Sequence, residues 1–440
     1  MTHEGGLDKV LFFPVRPKNM ANNPSRAEAT STSYIGGGYW HTVIACFLGW
    51  TLDAFDFFVV VFLVDVLANS FQVSKTAIVW TLTVTLAARP AGAFLFGLLA
   101  DRYGRRASLM ANVAFYSVIE LLCGFAPSFT VFIILRGLYG LGMGGEWGIG
   151  ASLTMETVPR RWRGILSGVL QSGYPIGYLL AALAARFILP LWGWRAMFWI
   201  GAAPALLVLY IRAGVPESKA WLQHREADIS GILRTVGRHW KGFLYLVLLM
   251  TMMMFLSHGT QDLYPDFLKT AHHIKPSTVS DIAVLYNLGA VLGSIFFGYL
   301  SEHFGRRRSM LAALGVSLVV IPFWAFGGSI GVLTAGAFLM QMGVQGAWGI
   351  IPAHLSELSP DSVRGLLPGL AYHLGILIAA PTNTIEYALR DRVGYGWAMA
   401  GFEIMVIVVV GLVLALGREN RGKDFLAPVR PVTSAMSGSS

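Results

Sequence analysis

One short stretch of the sequence combines a titratable base with a carboxylate at helical spacing. It reads Ser257-His-Gly-Thr-Gln-Asp262 and lies within an apolar run. His258 and Asp262 are four residues apart and Gln261 is three from His258, so a helix places all three on one face. A histidine beside a carboxylate can hold or pass a proton at ordinary pH, and Gln261 can donate to an anion. The alternative is that these side chains only join neighbouring helices.

A lone arginine interrupts a second apolar run, Thr81-Leu-Thr-Val-Thr-Leu-Ala-Ala-Arg-Pro90. Arg89 lies about 12 Å inside that run, because about eight residues separate it from the nearer end at 1.5 Å per residue. Its guanidinium offers a planar fork of donors that matches a carboxylate. We therefore expect Arg89 to bind an anion. The alternative is an ion pair with an acid of the first or fourth apolar run.

The first apolar run contains two acids, and two amides elsewhere can supplement the arginine. Asp53 and Asp56 are three residues apart, so they share a helix face and can carry a proton between them. Arg136 is an alternative partner that would neutralise one of them. Asn383 and Gln171 are predicted to hydrogen-bond a carboxylate or a hydroxyl, although either amide can equally join two helices.

The composition shows which kind of protein positions these groups. The 440 residues are 55% hydrophobic and only 13% charged, whereas soluble domains carry about 25% charged residues. The sequence is therefore predicted to be a polytopic membrane protein. Its net charge of +9 needs no nucleic-acid partner, since the cations lie between apolar runs. Cys46 and Cys123 are isolated within such runs, so neither a disulfide framework, a metal site nor a cofactor is expected.

Twelve helical spans of about 20 residues account for the apolar runs. They are placed near 41–67, 77–100, 107–126, 129–155, 164–187, 194–213, 242–267, 281–300, 308–328, 330–357, 365–388 and 395–417. Lys and Arg are concentrated in alternate loops, which places those loops and both termini in the cytoplasm. The predicted organisation is a cytoplasmic tail, a six-helix half, a cytoplasmic linker, a second six-helix half and a second cytoplasmic tail, at residues 1–40, 41–213, 214–241, 242–417 and 418–440. The Ser-rich residues 425–440 are expected to be disordered.

The two halves are related by an internal duplication. Gly97-Leu-Leu-Ala-Asp-Arg-Tyr-Gly-Arg-Arg106 is repeated 201 residues later as Gly298-Tyr-Leu-Ser-Glu-His-Phe-Gly-Arg-Arg307, and the same offset relates Trp147 to Trp348. Such a constant offset indicates a repeat. It also provides a test, because a charge whose repeat partner is apolar is more specific to function than to architecture. Arg89, whose partner is Ala290, passes that test.

Charged pairs that occur in both copies are predicted to hold one face of the protein closed. They lie at the ends of helices, where an acid can pair with an arginine across a loop. Simple anchoring by positive charge is the alternative, but acids add little to topology. The predicted gating residues are Asp101, Arg105, Glu156, Arg163, Glu302, Arg306, Glu357 and Arg364.

The Gly-x-x-x-Asp-Arg-x-Gly-Arg-Arg loop resembles the signature loop of the major facilitator superfamily, and the resemblance covers roughly residues 40–420. It implies an all-α membrane protein with twelve transmembrane helices in two pseudo-symmetric six-helix bundles. The bundles would rock about a midplane site to give alternating access. The chain would then be a multi-pass protein of the cell membrane that functions as a monomer.

The span 7 stretch is similar to the signature of yeast lactate–proton permeases, Asn-x-x-Ser-His-x-Ser/Thr-Gln-Asp-x-x-x-Thr, which group with bacterial sialate–proton symporters. Five specified positions match, whereas Met254 and Asp266 differ. In those permeases a span 2 arginine and the span 7 His and Asp are functional, which implies the same for Arg89, His258 and Asp262.

The resemblance implies proton-coupled uptake of a small monocarboxylate such as lactate or pyruvate. Sialic acid, a dicarboxylate or an aromatic acid is the alternative cargo. A membrane enzyme is disfavoured because no loop is large enough for a catalytic domain. A sensor without transport is also disfavoured, because both tails are short.

Overall fold

The computed structural model describes residues 38–225 and 228–427, and within those ranges all regular structure is helical. The predictions for residues 1–37 and 428–440 concern parts of the chain outside the described residues. In the first half, spans 1 to 6 correspond to helices Gly38–Phe62 with Val64–Phe71, Lys75–Tyr103, Arg105–Gly124, Phe129–Thr157, Arg163–Gln171 with Gly173–Phe187, and Leu189–Gly201 with Pro204–Gly214. In the second half, spans 7 to 12 correspond to Trp240–Gln261 with Tyr264–Thr270, Pro276–Phe304, Arg306–Phe326, Ile330–Leu358, Leu367–Ala379 with Thr382–Val393, and Tyr395–Leu416.

Nine helical segments of the described chain are long and apolar enough to cross a membrane. The three other predicted spans, 4, 5 and 11, are also helical. Span 4 is a single helix of 29 residues, about 43 Å long at 1.5 Å per residue, and its glycines and charges lower its mean hydropathy. Spans 5 and 11 are each divided into two shorter helices, at Ser172 and at Ala380.

The duplication is visible in the backbone at the ends of helices. Ser128 and Ser329, related by the repeat, each cap the following helix by accepting a hydrogen bond from the backbone N–H three residues on. Gly104 and Gly305 occupy the same place in the two signature loops and have φ of 114° and 96°. A residue with a side chain is strained at such angles, which explains why both loops turn at glycine.

The two halves approach closely on the face that carries the signature loops, which we call the signature-loop face. A Cβ added to Gly148 would lie 2.6 Å from Cα of Gly369 in the other half, and one added to Gly168 would collide with the carbonyl of Ser294. Glycines therefore permit backbone contact between spans 4 and 11 and between spans 5 and 8.

Two segments outside the predicted spans are ordered by contact with the bundle. The linker contains the short helices Lys219–His224 and Ile229–Arg238, which were not predicted. The prediction of disorder from residue 425 onward is wrong at Phe425, whose ring is only 1% exposed. An isolated aromatic ring beside a polar tail gives no periodic signal, yet it packs with Met155, Ala220 and Ala353.

Candidate functional site

Arg89 is buried in span 2 with donors that lack acceptors. It is 3% exposed, and its Nη2 lies 3.9 Å from Oδ2 of Asp53, too far for a hydrogen bond. Within the described part of the chain, neither Nε nor Nη2 of Arg89 has a hydrogen-bond partner. The guanidinium carbon is 5.6 Å from the centre of the Phe57 ring. Arg89, which was predicted to bind an anion, thus lies beside Asp53 of span 1, which is the type of acidic partner predicted as the alternative. The two side chains are too far apart to form a hydrogen bond.

Close packing of spans 2 and 4 fixes the position of Arg89. A Cβ added to Gly144 would collide with the carbonyl of Arg89, and one added to Gly140 would collide with that of Thr85. The threonine hydroxyl also donates to the carbonyl of Arg136 at 3.0 Å. The glycines of span 4 are therefore packing residues.

The polar stretch of span 7 forms a small hydrogen-bonded group. Nδ1 of His258 lies 3.1 Å from Oδ2 of Asp262, and Nδ2 of Asn383 in span 11 donates to the same oxygen at 3.2 Å. The side chains of His258 and Asp262 are each 35% exposed. Solvent and solutes can therefore reach His258 and Asp262, which are hydrogen-bonded to each other.

The groups of the two halves face each other. His258 lies close enough to Arg89 for the two charges to interact. Tyr174 of span 5 lies within electrostatic range of Arg89, Asp53 and Asp262. The structure thus brings together an arginine and an aspartate of the first half and a histidine and an aspartate of the second.

The two predicted glutamines bond to neighbouring helices. Nε2 of Gln261 donates to Oε1 of Gln341 at 2.7 Å, and Gln341 in turn lies 3.2 Å from the hydroxyl of Thr260. Oε1 of Gln171 accepts from the indole of Trp147 at 3.1 Å. These contacts match the helix-joining alternative, and a direct contact of either amide with a ligand stays a prediction.

The acids of span 1 lie in a buried polar cluster of the first half. The hydroxyl of Tyr139 is 3.3 Å from Oδ1 of Asp53. Asp56 is fully buried beside Gly201, and no described residue hydrogen-bonds its carboxylate. Arg136 pairs with Glu120 at 2.8 Å, whereas sequence reasoning considered only the span 1 aspartates as its partners.

Three buried acids belong to the site region but were not nominated from the sequence. Glu120, Glu386 and Glu403 are at most 1% exposed. Glu403 in span 12 packs against Gly259, the neighbour of His258. Their repeat partners are Ile321, Ala185 and Ala202. The repeat comparison that singled out Arg89 would therefore have found all three.

The gating residues form a network that joins the halves at the signature-loop face. The carboxylate of Asp101 accepts from the backbone N–H groups of Gly365 and Leu366, at 2.9 and 3.0 Å. Arg105 pairs with Asp101 and lies 3.4 Å from Glu156. One oxygen of Glu156 also pairs with Arg364 of the other half at 2.9 Å.

The repeated copy makes the reciprocal contacts. Arg306 pairs with Glu302 and Glu357, each at 3.0 Å. Glu302 accepts from the backbone N–H of Gly164, and Glu357 lies 3.6 Å from Arg163 in the first half. The eight predicted gating residues thus form two clusters, one at each signature loop, and each cluster contains contacts between the halves, so the signature-loop face is closed.

The linker contributes a carboxylate to the same face. Glu217 accepts from the backbone N–H groups of Arg105 and Arg106, at 3.0 and 3.2 Å. Burial raises the pKa of the Glu217 carboxyl, although those N–H bonds act in the opposite direction. The indole of Trp221 donates to the carbonyl of Asp101 at 2.7 Å, so the linker is attached to the first signature loop.

Residues 419–427, which we call the C-terminal strap, cross the closed network. The guanidinium carbons of Arg163 and Arg364 each lie 3.8 Å from the centre of the Phe425 ring. The backbone N–H of Gly422 donates to Glu357 at 3.1 Å, and Lys423 pairs with Asp361 at 3.1 Å. The strap therefore contacts arginines of both halves at once.

Comparison with known proteins agrees with this geometry. A sugar (and other) transporter family model matches residues 40–231, and the Major Facilitator Superfamily model matches residues 260–438. The chain is 29% identical to a carboxylic acid transporter protein homolog of Saccharomyces cerevisiae, over 89% of this chain and 70% of that protein. It is 28% identical to the sialic acid transporter NanX of Escherichia coli, over 87% and 95%.

Solved structures share the fold at low sequence identity. The human organic anion transporter MFSD10 aligns with a TM-score of 0.71 at 16% identity, over 86% of this chain and 99% of that one. The proton:xylose symporter XylE aligns with a TM-score of 0.70 at 21% identity, over 88% and 97%.

The matching family models and relatives are those of membrane transporters, and not of enzymes. The chain belongs to the major facilitator superfamily and is a multi-pass protein of the plasma or inner membrane. Its relatives are transporters of organic acids and sugars, so the predicted fold, superfamily and class of protein are confirmed.

Proposed function

We propose that this protein takes up a small organic monocarboxylate, such as lactate or pyruvate, together with protons. The carboxylate binds between the halves, and Arg89 is its charge partner. The observation that carries the proposal is the state of Arg89. It is buried, its nearest acid is 3.9 Å away, and its Nε and Nη2 lack acceptors among the described residues. A bidentate carboxylate would satisfy these donors.

The coupling proton resides on the Asp262–His258 pair or on Asp53 with Asp56. A charge at bilayer depth costs about 2.5–3.5 kcal/mol on insertion scales, so a half-loaded site is disfavoured during the transition between states. Carboxylate on Arg89 and proton on an acid together leave the loaded carrier without added charge. Because the fully loaded carrier changes state more easily than a half-loaded one, the carboxylate and the proton must be transported together.

The relatives support an organic acid as cargo. Proteins 29%, 28% and 26% identical to this chain are described as transporters of carboxylic acid, sialic acid and cis,cis-muconate, respectively. Sialic acid, a dicarboxylate or an aromatic acid is therefore the alternative to lactate. His258, Gln261, Asn383 and Gln171 are the proposed hydrogen-bonding partners of the bound acid.

The closed signature-loop face gives the proposed orientation. Both termini and the linker 214–241 lie in the cytoplasm, as the distribution of Lys and Arg predicts. The halves 41–213 and 242–417 then meet on the cytoplasmic side, and the partly exposed His258 and Asp262 face the outside. This is the state of a monomeric importer that is ready to accept substrate.

Proteoliposomes with an acidic exterior test the proposal. Labelled L-lactate should accumulate in them, and a protonophore should abolish the accumulation. Arg89→Lys keeps the charge but loses the fork, so it should weaken apparent affinity by about 10- to 150-fold, the equivalent of 1.5–3 kcal/mol for a charged hydrogen bond. Wild-type affinity in that variant would show that Arg89 does not bind the carboxylate. No protonophore-sensitive uptake of lactate, sialic acid or aromatic acids by folded protein would contradict the function.

A further inference from the structure

Five large aromatic side chains meet between the halves beside Arg89. This aromatic cluster consists of Trp50, Trp147, Tyr174, Trp348 and Tyr372. Tyr372 is central, and it stacks on Trp147 with ring centres 4.4 Å apart and 25° between planes. It meets Trp50 and Trp348 edge-on at 6.2 and 5.8 Å. Because Trp50 and Trp147 belong to the first half and Tyr372 to the second, the cluster crosses the interface.

Tyr174 is the member of the cluster that solutes can reach. It stacks on Trp50 with ring centres 5.6 Å apart, and Phe58 meets its edge at 5.2 Å. Tyr174 is partly exposed as a whole residue, whereas the other four members are at most 5% exposed. It lies within electrostatic range of Arg89 and Asp262. An aromatic face therefore adjoins the charged groups of both halves.

The polar atoms of the cluster distinguish it from an ordinary apolar core. The indole Nε1 atoms of Trp50 and Trp348 are buried, and in the described ranges they have no hydrogen-bond partner. Buried indole N–H groups usually find an acceptor. Arg89 likewise has donors that lack acceptors, so both the aromatic cluster and Arg89 contain unpaired hydrogen-bond donors. A ligand that satisfies this environment is rich in acceptors and has a flat apolar body.

We infer that the site selects a carboxylate attached to a planar conjugated ring or chain, with Tyr174 stacked on the planar body and Arg89 on the carboxylate. The inference rests on the proposed function and, within it, places the aromatic acid, given above as an alternative cargo, ahead of lactate. A saturated acid of the same size buries a similar area but loses the stacking interaction. Aromatic pairs contribute about 0.5–1.5 kcal/mol beyond area burial, which corresponds to a preference of about 2- to 12-fold.

Benzoate and cyclohexanecarboxylate are a matched pair of probes. Both have one carboxylate on a six-carbon ring, and they differ mainly in planarity and conjugation. Influx of each labelled acid is measured into proteoliposomes with an acidic exterior, at a pH where both acids are largely ionised. Protein-free vesicles correct for passive diffusion. The variants are Tyr174→Leu, which removes the ring, Tyr174→Phe, which keeps it, and Phe187→Leu, which removes an exposed ring from the same span.

The wild type should prefer benzoate by about 2- to 12-fold, and Tyr174→Phe and Phe187→Leu should keep that preference. Tyr174→Leu should lose the preference for benzoate but should still transport cyclohexanecarboxylate. Equal transport of the two acids by the wild type, or an unchanged preference in a folded Tyr174→Leu variant, would overturn the inference.

Failure of the inference and failure of the proposed function give different results. Proton-dependent uptake of L-lactate without preference for benzoate would refute the planar substrate and leave the function standing. Influx of every acid at the rate of protein-free vesicles would refute both. If Tyr174→Leu does not elute as folded protein, the wild-type ratio of the two acids still decides the inference.

Discussion

At the scale of single residues, the second half offers one accessible acid whose contacts suit a proton carrier. Oδ2 of Asp262 receives contacts from His258 and Asn383 at 3.1 and 3.2 Å. A histidine in that position can share a proton with the carboxylate at ordinary pH. Because the group also lies near Arg89, protonation there and carboxylate binding are expected to affect each other.

Asp262→Asn should separate binding from coupling. The amide imitates the protonated acid, so the variant should exchange labelled for unlabelled carboxylate across the membrane but fail to accumulate it against a gradient. Counterflow and pH-driven uptake measure the two activities in the same vesicles. Asp266→Asn is the matched control, because Asp266 accepts hydrogen bonds from Tyr387 and Tyr395 instead. Undiminished accumulation in Asp262→Asn would show that Asp262 does not carry the coupling proton and would leave Asp53 with Asp56 as the proposed carrier.

Glu217 gives the protein a pH-dependent stability term outside the membrane. Burial raises the pKa of its carboxyl above the ordinary value of 4.5. The folded state therefore binds this proton more tightly than the unfolded chain. The resulting stabilisation is complete below pH 4.5 and is lost as the pH rises through the folded pKa.

Glu217→Gln keeps an acceptor for the N–H groups of Arg105 and Arg106 but does not titrate. Its thermal stability in detergent should therefore rise relative to wild type as the pH increases from below 4.5 towards neutrality. Glu217→Ala leaves those N–H groups without their acceptor and should lose about 1–3 kcal/mol. Parallel curves of stability against pH for wild type and Glu217→Gln would contradict the role of this carboxyl.

Individual residues could be predicted where a charge interrupted an apolar run. Arg89, His258 and Asp262 were found in this way, and the structure brings them together. The pairing of Arg136 with Glu120 could not be predicted, since it depends on how spans 3 and 4 rotate about their axes. The hydrogen bonds of Gln261 and Gln171 were equally undetermined, because an amide serves a ligand or a neighbouring helix with the same atoms.

At the scale of elements, helix positions followed from the length of the apolar runs. The bounds of spans 2, 4 and 10 were predicted to within a few residues, and in the structure each of these helices begins after a capping serine, at Ser74, Ser128 and Ser329. The breaks in spans 5 and 11 and the two linker helices were not predicted. Both depend on tertiary contacts, as does the burial of Phe425 in the strap.

The C-terminal strap is expected to favour closure of the signature-loop face. Phe425→Ala removes two cation–π contacts worth about 0.5–2 kcal/mol each, so the closed state should lose about 5- to 900-fold in population relative to the open one. A cysteine in place of Ser167, which is buried against the backbone of Ala353 in the other half, reports opening by its rate of thiol labelling. Leu426→Ala is the control, because Leu426 is 46% exposed. Equal labelling rates in all backgrounds would show that the strap does not stabilise closure.

At the scale of the whole molecule, the duplication predicted the number of halves but not the partners at their interface, because the sequence suggested pairs across a loop within each half, Glu156 with Arg163 and Glu357 with Arg364. Each acid of the gating network has a repeat partner that makes the reciprocal contact, as Glu156 does with Arg364 and Glu357 with Arg163. The sequence could not predict which face is closed. The same residues must serve both the closed and the open state, so that choice depends on small free-energy differences between two packed arrangements.

The central claim is that one site, organised by Arg89, moves a carboxylate and a proton together. Its most direct test measures proton movement into vesicles when a concentration gradient of the carboxylate is the only driving force. Vesicles with a trapped pH indicator start at equal pH inside and outside, and L-lactate or benzoate is then added outside. The wild type should acidify the interior faster than protein-free vesicles and faster than Arg89→Lys, in proportion to the labelled acid taken up. Protein-dependent uptake of the labelled acid with an interior pH that follows the protein-free control would contradict proton-coupled symport.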